Sequence, residues 1–225
     1  MSTARFSHPK SESPAGSVNW LQLDRSPHAI QFYSGDDFLL DSLSQFVSTA
    51  LQAGDSCFVL ATQAHLNGLA ERLKALGIDT DKAVRRRRYV TVDAFQVLAQ
   101  LMVDGKLDKT RFDDFIGEVV LPLKTAAESR LRRVAVCGEV VALLWEDGKA
   151  EAAIELERLW NEVAMQGSYY LRCFYRIASF SDPGQNELFL RLCSEHASAI
   201  PCESDPCNLA ARIEEFEASP NEVVN

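Results

Sequence analysis

The sequence has no uninterrupted apolar stretch of the roughly 18 to 20 residues that a bilayer-spanning helix requires, because charge breaks every apolar segment within a few positions. Its opening residues, MSTARFSHPKSESPAGS, have no apolar core of the kind a secretory signal needs. These absences point to a cytoplasmic protein. Positive charge is also scarce: 23 Lys and Arg against 32 Asp and Glu give a net charge of −9, which argues against general affinity for nucleic acid or an anionic membrane. There is no CxxC and no HxxxH, and Cys202-x4-Cys207 lies in an acidic tail without a second ligand pair. His28, His65 and His196 together with six cysteines therefore do not match the spacing of a zinc module, and no metal or other cofactor is expected. In a reducing compartment the cysteines stay thiols. GxSxG is missing and no cysteine has an activating base beside it in sequence, so a Ser or Cys nucleophile is not indicated.

What is present suits one medium domain: 225 residues, 47% of them hydrophobic. Residues 1–26 are rich in Ser, Pro and charge and read as a disordered leader. The domain proper is expected over 27–201, and 202–225 as an acidic tail, weakly helical around Leu209 to Phe216. The chain is organised around Arg132 to Val163. There the β-branched run Val134 to Cys137 meets Gly138-Glu139, then an apolar turn with Leu144 and Trp145, then Asp147-Gly148, and then an amphipathic helix carrying Leu156, Leu159 and Trp160.

The same alternation fills the rest of the domain. Strand signals occur at His28 to Tyr33, Cys57 to Ala61, Tyr89 to Val92 and Tyr169 to Tyr175. Helical spacing links Leu39 to Leu51, Leu66 to Leu76, Leu98 to Met102, and Leu188 to Leu192 with an extension to Ala197. A further helix is expected from Arg111 to Ser129, bent at Pro122. Asp104-Gly105 turns the chain, and Arg85 to Arg88 reads as a solvated loop. Strands that alternate with helices predict an α/β fold, a mainly parallel sheet with helices on both faces.

The motifs HAIQFY, ATQAHL, TVDAFQVLAQLMVDGKLD, GEVVALLWEDG and LERLWNE occur in that order between about His28 and Pro201. In them the chain resembles the MEDS sensory domain, named for methanogens, methylotrophs and the sensory part of a dichloromethane-responsive regulator. The resemblance implies a RecA/KaiC-like fold and a role in sensing small molecules or relaying signals. ATP-binding members of such folds place GxxxxGK[ST] after an early buried strand. Here that place reads ATQAHLNGLAERL, with no glycine pair and no lysine, so a phosphate loop is lacking.

A parallel sheet brings the carboxyl ends of its strands to one edge, which would gather Thr62, His65, Asp93, Glu139 and Tyr175, with Trp145 nearby, around a ligand. Each has a plainer reading: Thr62 and Asp93 as helix N-caps, His65 as a first-turn residue, Tyr175 as a core aromatic with its hydroxyl at the rim, Trp145 as core. Glu139 sits inside an apolar run and needs a partner if ionised; Arg132, Arg133 or Arg172 would make it a fastening of the sheet edge. Glu157 and Asn161 read as solvated, although the resemblance singles them out. The expected function is a non-enzymatic sensory or signal-transduction module that binds a small molecule, a signalling partner such as a histidine kinase or transcriptional regulator, or both. A RecA-like ATPase is the rival, with Lys74 or the arginine run in place of the missing lysine and Glu139 activating water. A self-associating scaffold, hence a homo-oligomer, is the third reading.

Overall fold

The computed structural model describes residues 27–200 and residue 202. The leader before residue 27 and the helix expected around 209–216 lie outside the described residues. Strand β1 (His28–Tyr33) is followed by α1 (Asp36–Gln52), β2 (Ser56–Ala61), α2 (Gln63–Ala75), the short α3 (Thr80–Arg85) and β3 (Tyr89–Asp93). Next come α4 (Ala94–Leu101) and the two-residue strands β4 (Met102–Val103) and β5 (Lys106–Leu107). These form an antiparallel hairpin across Asp104-Gly105, both at positive φ, the backbone that an Asp-Gly hairpin turn supplies.

The helix expected from Arg111 to Ser129 is three pieces: α5 (Lys109–Phe115), a π turn (Ile116–Val120) and α6 (Leu121–Ala126). Pro122 lies in the first turn of α6, where its missing N–H does least harm, and the change of register falls just before it. The chain continues through β6 (Val134–Gly138), α7 (Val140–Glu146), α8 (Ala150–Ala164), β7 (Tyr169–Arg176), α9 (Asn186–Ser194) and β8 (Ser198–Ile200). Ala197 does not extend the last helix. Its N–H donates to the His28 carbonyl at 2.9 Å, which leads the chain into β8.

Six strands make one all-parallel sheet in the order β3-β2-β6-β7-β1-β8. Alternate side chains face opposite ways, as the pleat requires. Ile30, Phe32, Phe58, Leu60, Val136 and Leu171 pack against α4 to α9 on one face. Cys57, Val59, Ala61, Ala135, Cys137 and Phe174 pack against α1, α2 and α3 on the other. This is the α/β architecture read from the sequence, with helices on both faces of the sheet. The arginine run is not wholly solvated. Arg88 is buried and donates to the carbonyls of Leu51 and Asp55, both at 2.8 Å, which ties the amino ends of the strands to the end of α1.

The topology singles out one place. From β2 the chain moves outward to β3, while from β6 it moves the opposite way to β7. Connections that diverge from adjacent parallel strands leave a crevice beyond their carboxyl ends, and open α/β sheets collect ligands there. At this point the backbones of β2 and β6 are in unusually close approach. The Glu139 N–H donates to the Leu60 carbonyl at 2.9 Å, and a Cβ on Gly138 would lie 1.9 Å from that same oxygen. Only glycine fits without moving a strand.

Gly138→Ala is therefore expected to lower the unfolding free energy by about 1–3 kcal/mol, the range for overpacking a tight interior. Gly117→Ala, where a Cβ meets nothing within 4 Å, should have a much smaller effect. Urea unfolding of the two variants checks this.

Candidate functional site

The site at the crevice is built from the residues that follow each strand. After β2 a single residue, Thr62, serves as the whole connection: its hydroxyl accepts from the His65 N–H at 3.4 Å and caps α2. After β6 comes Glu139, only 4% exposed. Its Oε1 accepts from the Thr62 N–H at 3.0 Å, and both carboxylate oxygens lie 2.8 Å from His65 Nδ1. An acceptor on both sides requires Nδ1 to carry a proton, so His65 donates to Glu139.

From there a polar chain runs along the carboxyl edge. His65 Nε2 is 3.8 Å from Asp36 Oδ1, at the start of α1, and Asp36 pairs with Arg176 at the end of β7. The Arg176 guanidinium also donates to the Ser34 carbonyl at 3.3 Å and lies over the Tyr33 ring, 5.1 Å from its centroid. Groups from the ends of β1, β2, β6 and β7 thus form one alternating series of acid and base.

The charges act on one another. The hydrogen bond to Glu139 raises the His65 pKa above its ordinary value, against the opposing effect of burial. The hydrogen bond from Arg176 holds the Asp36 carboxyl below its usual range. Burial pushes the Tyr33 phenol up, helped by the Glu139 charge.

Of the residues expected at this edge, the structure brings Thr62, His65 and Glu139 into contact. Asp93 ends β3, one strand beyond β2, where its carboxylate caps α4 by accepting from the Gln96 N–H at 3.1 Å. Trp145 is buried under the sheet, with Nε1 donating to the Ser179 carbonyl at 3.1 Å and its ring 4.8 Å from that of Phe180. Tyr175 is also internal: its hydroxyl donates to Glu157 Oε1 at 2.7 Å, well away from the rim. Of the arginines considered as partners for Glu139, Arg133 pairs with Asp55 at the opposite, amino edge, at 2.9 Å, and the Arg172 guanidinium lies over the Phe46 ring.

The partner of Tyr175 belongs to a second polar cluster. Glu157 is fully buried, not solvated, because α8 is covered by the sheet on one side and by α9 on another. Its Oε2 lies 3.1 Å from His28 Nε2 and 3.3 Å from Cys173 Sγ, and its Oε1 lies 3.4 Å from His196 Nε2. Asn161, one turn along α8, accepts from His28 Nδ1 at 2.8 Å and donates to the Glu195 carbonyl at 2.6 Å. Burial opposes ionisation of Glu157, yet the His196 and His28 imidazoles hold its carboxyl well below the ordinary range. Burial likewise opposes protonation of His28, and its contacts with Glu157 and Asn161 overcome that and raise its pKa. Burial, then Glu157, pushes the Cys173 thiol up. Among the described residues, His28, Glu157, Cys173 and His196 are the group whose donor atoms are close enough to share one ion, all within 4.8 Å of one another.

Two hints of this cluster lie in the motifs: His28 opens the first, and Glu157 and Asn161 lie one turn apart in the last. Their meeting with Cys173 and His196 needs the strand order and the α9 to β8 return, which no linear spacing displays.

The family model described as MEDS, MEthanogen/methylotroph, DcmR Sensory domain, matches residues 27–190. No curated protein matches the chain. The matched span includes the whole Thr62, His65, Glu139, Asp36 and Arg176 series. It also includes every member of the buried cluster except Glu195 and His196.

His65 gives the edge a definite pH signature. A histidine whose folded pKa lies above the unfolded value of 6.5 contributes stability that is complete below that pH and is lost as pH rises through the folded pKa. The stability advantage of the native chain over His65→Gln should be largest near about pH 5.5 and smallest near about pH 9. Urea midpoints of the two proteins across this range measure it, and a gap that is constant or widens with pH would contradict the pairing.

Proposed function

Because the chain belongs to the MEDS family of sensory domains, we propose that it is a non-enzymatic sensing module. In this reading it takes a small molecule at the carboxyl edge of its sheet, with Glu139 and His65 as the groups that read it, and reports occupancy to a signalling protein such as a histidine kinase or a transcriptional regulator. One observation carries the reading: the Glu139 carboxylate accepts from the Thr62 N–H at the start of α2. The amino end of the helix after a buried strand attracts anions, and nucleotide-binding α/β proteins seat phosphate there. In this chain the connection is one residue long and a side-chain carboxylate already accepts from that amide. The same atoms that would cradle a phosphate are turned to the protein's own acid, and a second negative charge brought to them would meet repulsion.

The arrangement suits a switch. Glu139 and His65 are bonded to each other, and His65 touches the Asp36–Arg176 pair, so a molecule that takes a hydrogen bond from one member shifts the partners of the next. The chain of contacts ends on α1 and β7 at the surface, where Asp36 is exposed and accessible to another protein. Occupancy is thereby coupled to a surface that a partner can read, provided the ligand binds the two arrangements with different affinity.

Calorimetry with ATP and Mg²⁺ separates this reading from a nucleotide enzyme. The sensing module gives no micromolar binding and no turnover. Micromolar ATP binding or hydrolysis that Glu139→Gln abolishes would replace it.

A further inference from the structure

We propose that His28, Glu157, Cys173 and His196 form a binding site for one divalent transition-metal ion of the zinc class. The four ligand atoms come from the start of β1, the middle of α8, the middle of β7 and the turn between α9 and β8. The separations are 3.1 Å (His28 Nε2 to Glu157 Oε2), 3.3 Å (His28 Nε2 to Cys173 Sγ), 3.3 Å (Cys173 Sγ to Glu157 Oε2) and 3.4 Å (His196 Nε2 to the other carboxylate oxygen, Glu157 Oε1). A tetrahedral ion with bonds of about 2.0–2.3 Å has ligand-to-ligand edges of roughly 3.3–3.8 Å. The three edges among His28, Cys173 and Glu157 Oε2 are near that spacing, and His196, which faces the other carboxylate oxygen, completes a group of four donors within 4.8 Å of one another that a bound ion would draw in. Two imidazoles, a carboxylate and a thiolate are a borderline-soft set that suits Zn²⁺, not Mg²⁺ or Ca²⁺.

The outer contacts orient the donors. His28 Nδ1 is 2.8 Å from Asn161 Oδ1, and that oxygen is the acceptor because the amide nitrogen of Asn161 donates to the Glu195 carbonyl. His196 Nδ1 lies 2.9 Å from the Leu192 carbonyl, which can only accept. Each ring therefore carries its proton on Nδ1 and directs Nε2 at the same carboxylate. Backing imidazole ligands with carbonyl oxygens is how proteins fix the metal-binding tautomer. The Tyr175 hydroxyl holds the remaining side of Glu157. Without an ion, the Glu157 carboxylate faces both imidazole Nε2 atoms and the Cys173 thiol at hydrogen-bond or ion-pair distance, which are the positions a metal's ligands would take. When an ion binds, the Cys173 thiol releases its proton to become the fourth ligand.

The site is closed on all sides, with the His196 and Glu157 side chains both 0% exposed, so the ion would fasten the α9 to β8 return onto the sheet and would not activate a water.

Titration of the chelator-treated full chain with Co²⁺, followed in the visible spectrum, tests the assignment. The expected result is saturation at one ion per chain, with the intense ligand-field bands of tetrahedral Co²⁺ and a sulfur-to-cobalt charge-transfer band. Cys173→Ser should remove the charge-transfer band, and Cys137→Ser, on the other face of the sheet, should keep it. Tyr175→Phe leaves every ligand in place and should weaken binding about tenfold or more with the circular dichroism unchanged, which keeps the test decisive if Cys173→Ser does not fold. Absence of saturable binding, a weak octahedral spectrum, a charge-transfer band that survives Cys173→Ser, or undiminished affinity in Tyr175→Phe would overturn the site.

Discussion

The carboxylate of Glu139 is buried where two strands part, and the local structure is arranged to keep that charge satisfied. An ionised acid removed from water costs several kcal/mol unless it is paired and hydrogen-bonded. Here the partners are the amide of Thr62, the residue that caps α2, and the ring of His65, so Glu139 ties the end of β6 to the beginning of the helix that follows β2. That tie needs the close approach that Gly138 permits, and the approach needs β2 and β6 to be neighbours in a parallel sheet. Sheet order, glycine, acid and helix start depend on one another.

The two polar clusters occupy different parts of the fold and differ in kind. The edge series is half open, its outer members Asp36 and Arg176 reaching solvent. The inner cluster lies beneath α8 and α9, with donors drawn from the first strand and the last turn of the described domain. Sensing requires contact with the surroundings, which the edge has. Holding the end of the domain to its beginning requires insulation from water, which the inner cluster has. Tyr175 shows how one residue can be misassigned between them: it is on the same strand as Arg176, but the pleat turns adjacent side chains to opposite faces.

The fold was readable because its signals are local and repeated. Continuous apolar runs mark strands covered on both faces, and glycine or a capping acid marks most of the turns. β8 escaped because it is three residues long with only a partly buried face, and its place beside β1 depends on a return that periodicity does not encode. At the edge, Thr62, His65 and Glu139 are legible as polar residues just after a strand, and the structure brings the three into contact. Asp93 carries the same signal, but its carboxylate is taken up as the cap of α4. Which carboxylate has a partner across the crevice is decided by strand order, and β3 lies one position too far. Glu157 reads as solvated in the sequence because acids on amphipathic helices usually are; that α8 has two covered sides becomes visible only when α9 is in place.

The most direct measurement of the sensing claim is a thermal-shift screen of small polar molecules against the native chain, Glu139→Gln and Asp93→Asn. A ligand that binds only the folded state adds about 2.7 kcal/mol of stability at a hundredfold excess over its Kd. If the crevice between β2 and β6 is the sensing site, hits on the native chain vanish in Glu139→Gln and persist in Asp93→Asn. Hits that survive in Glu139→Gln, or that depend on Asp93 instead, would place the site elsewhere and contradict the account.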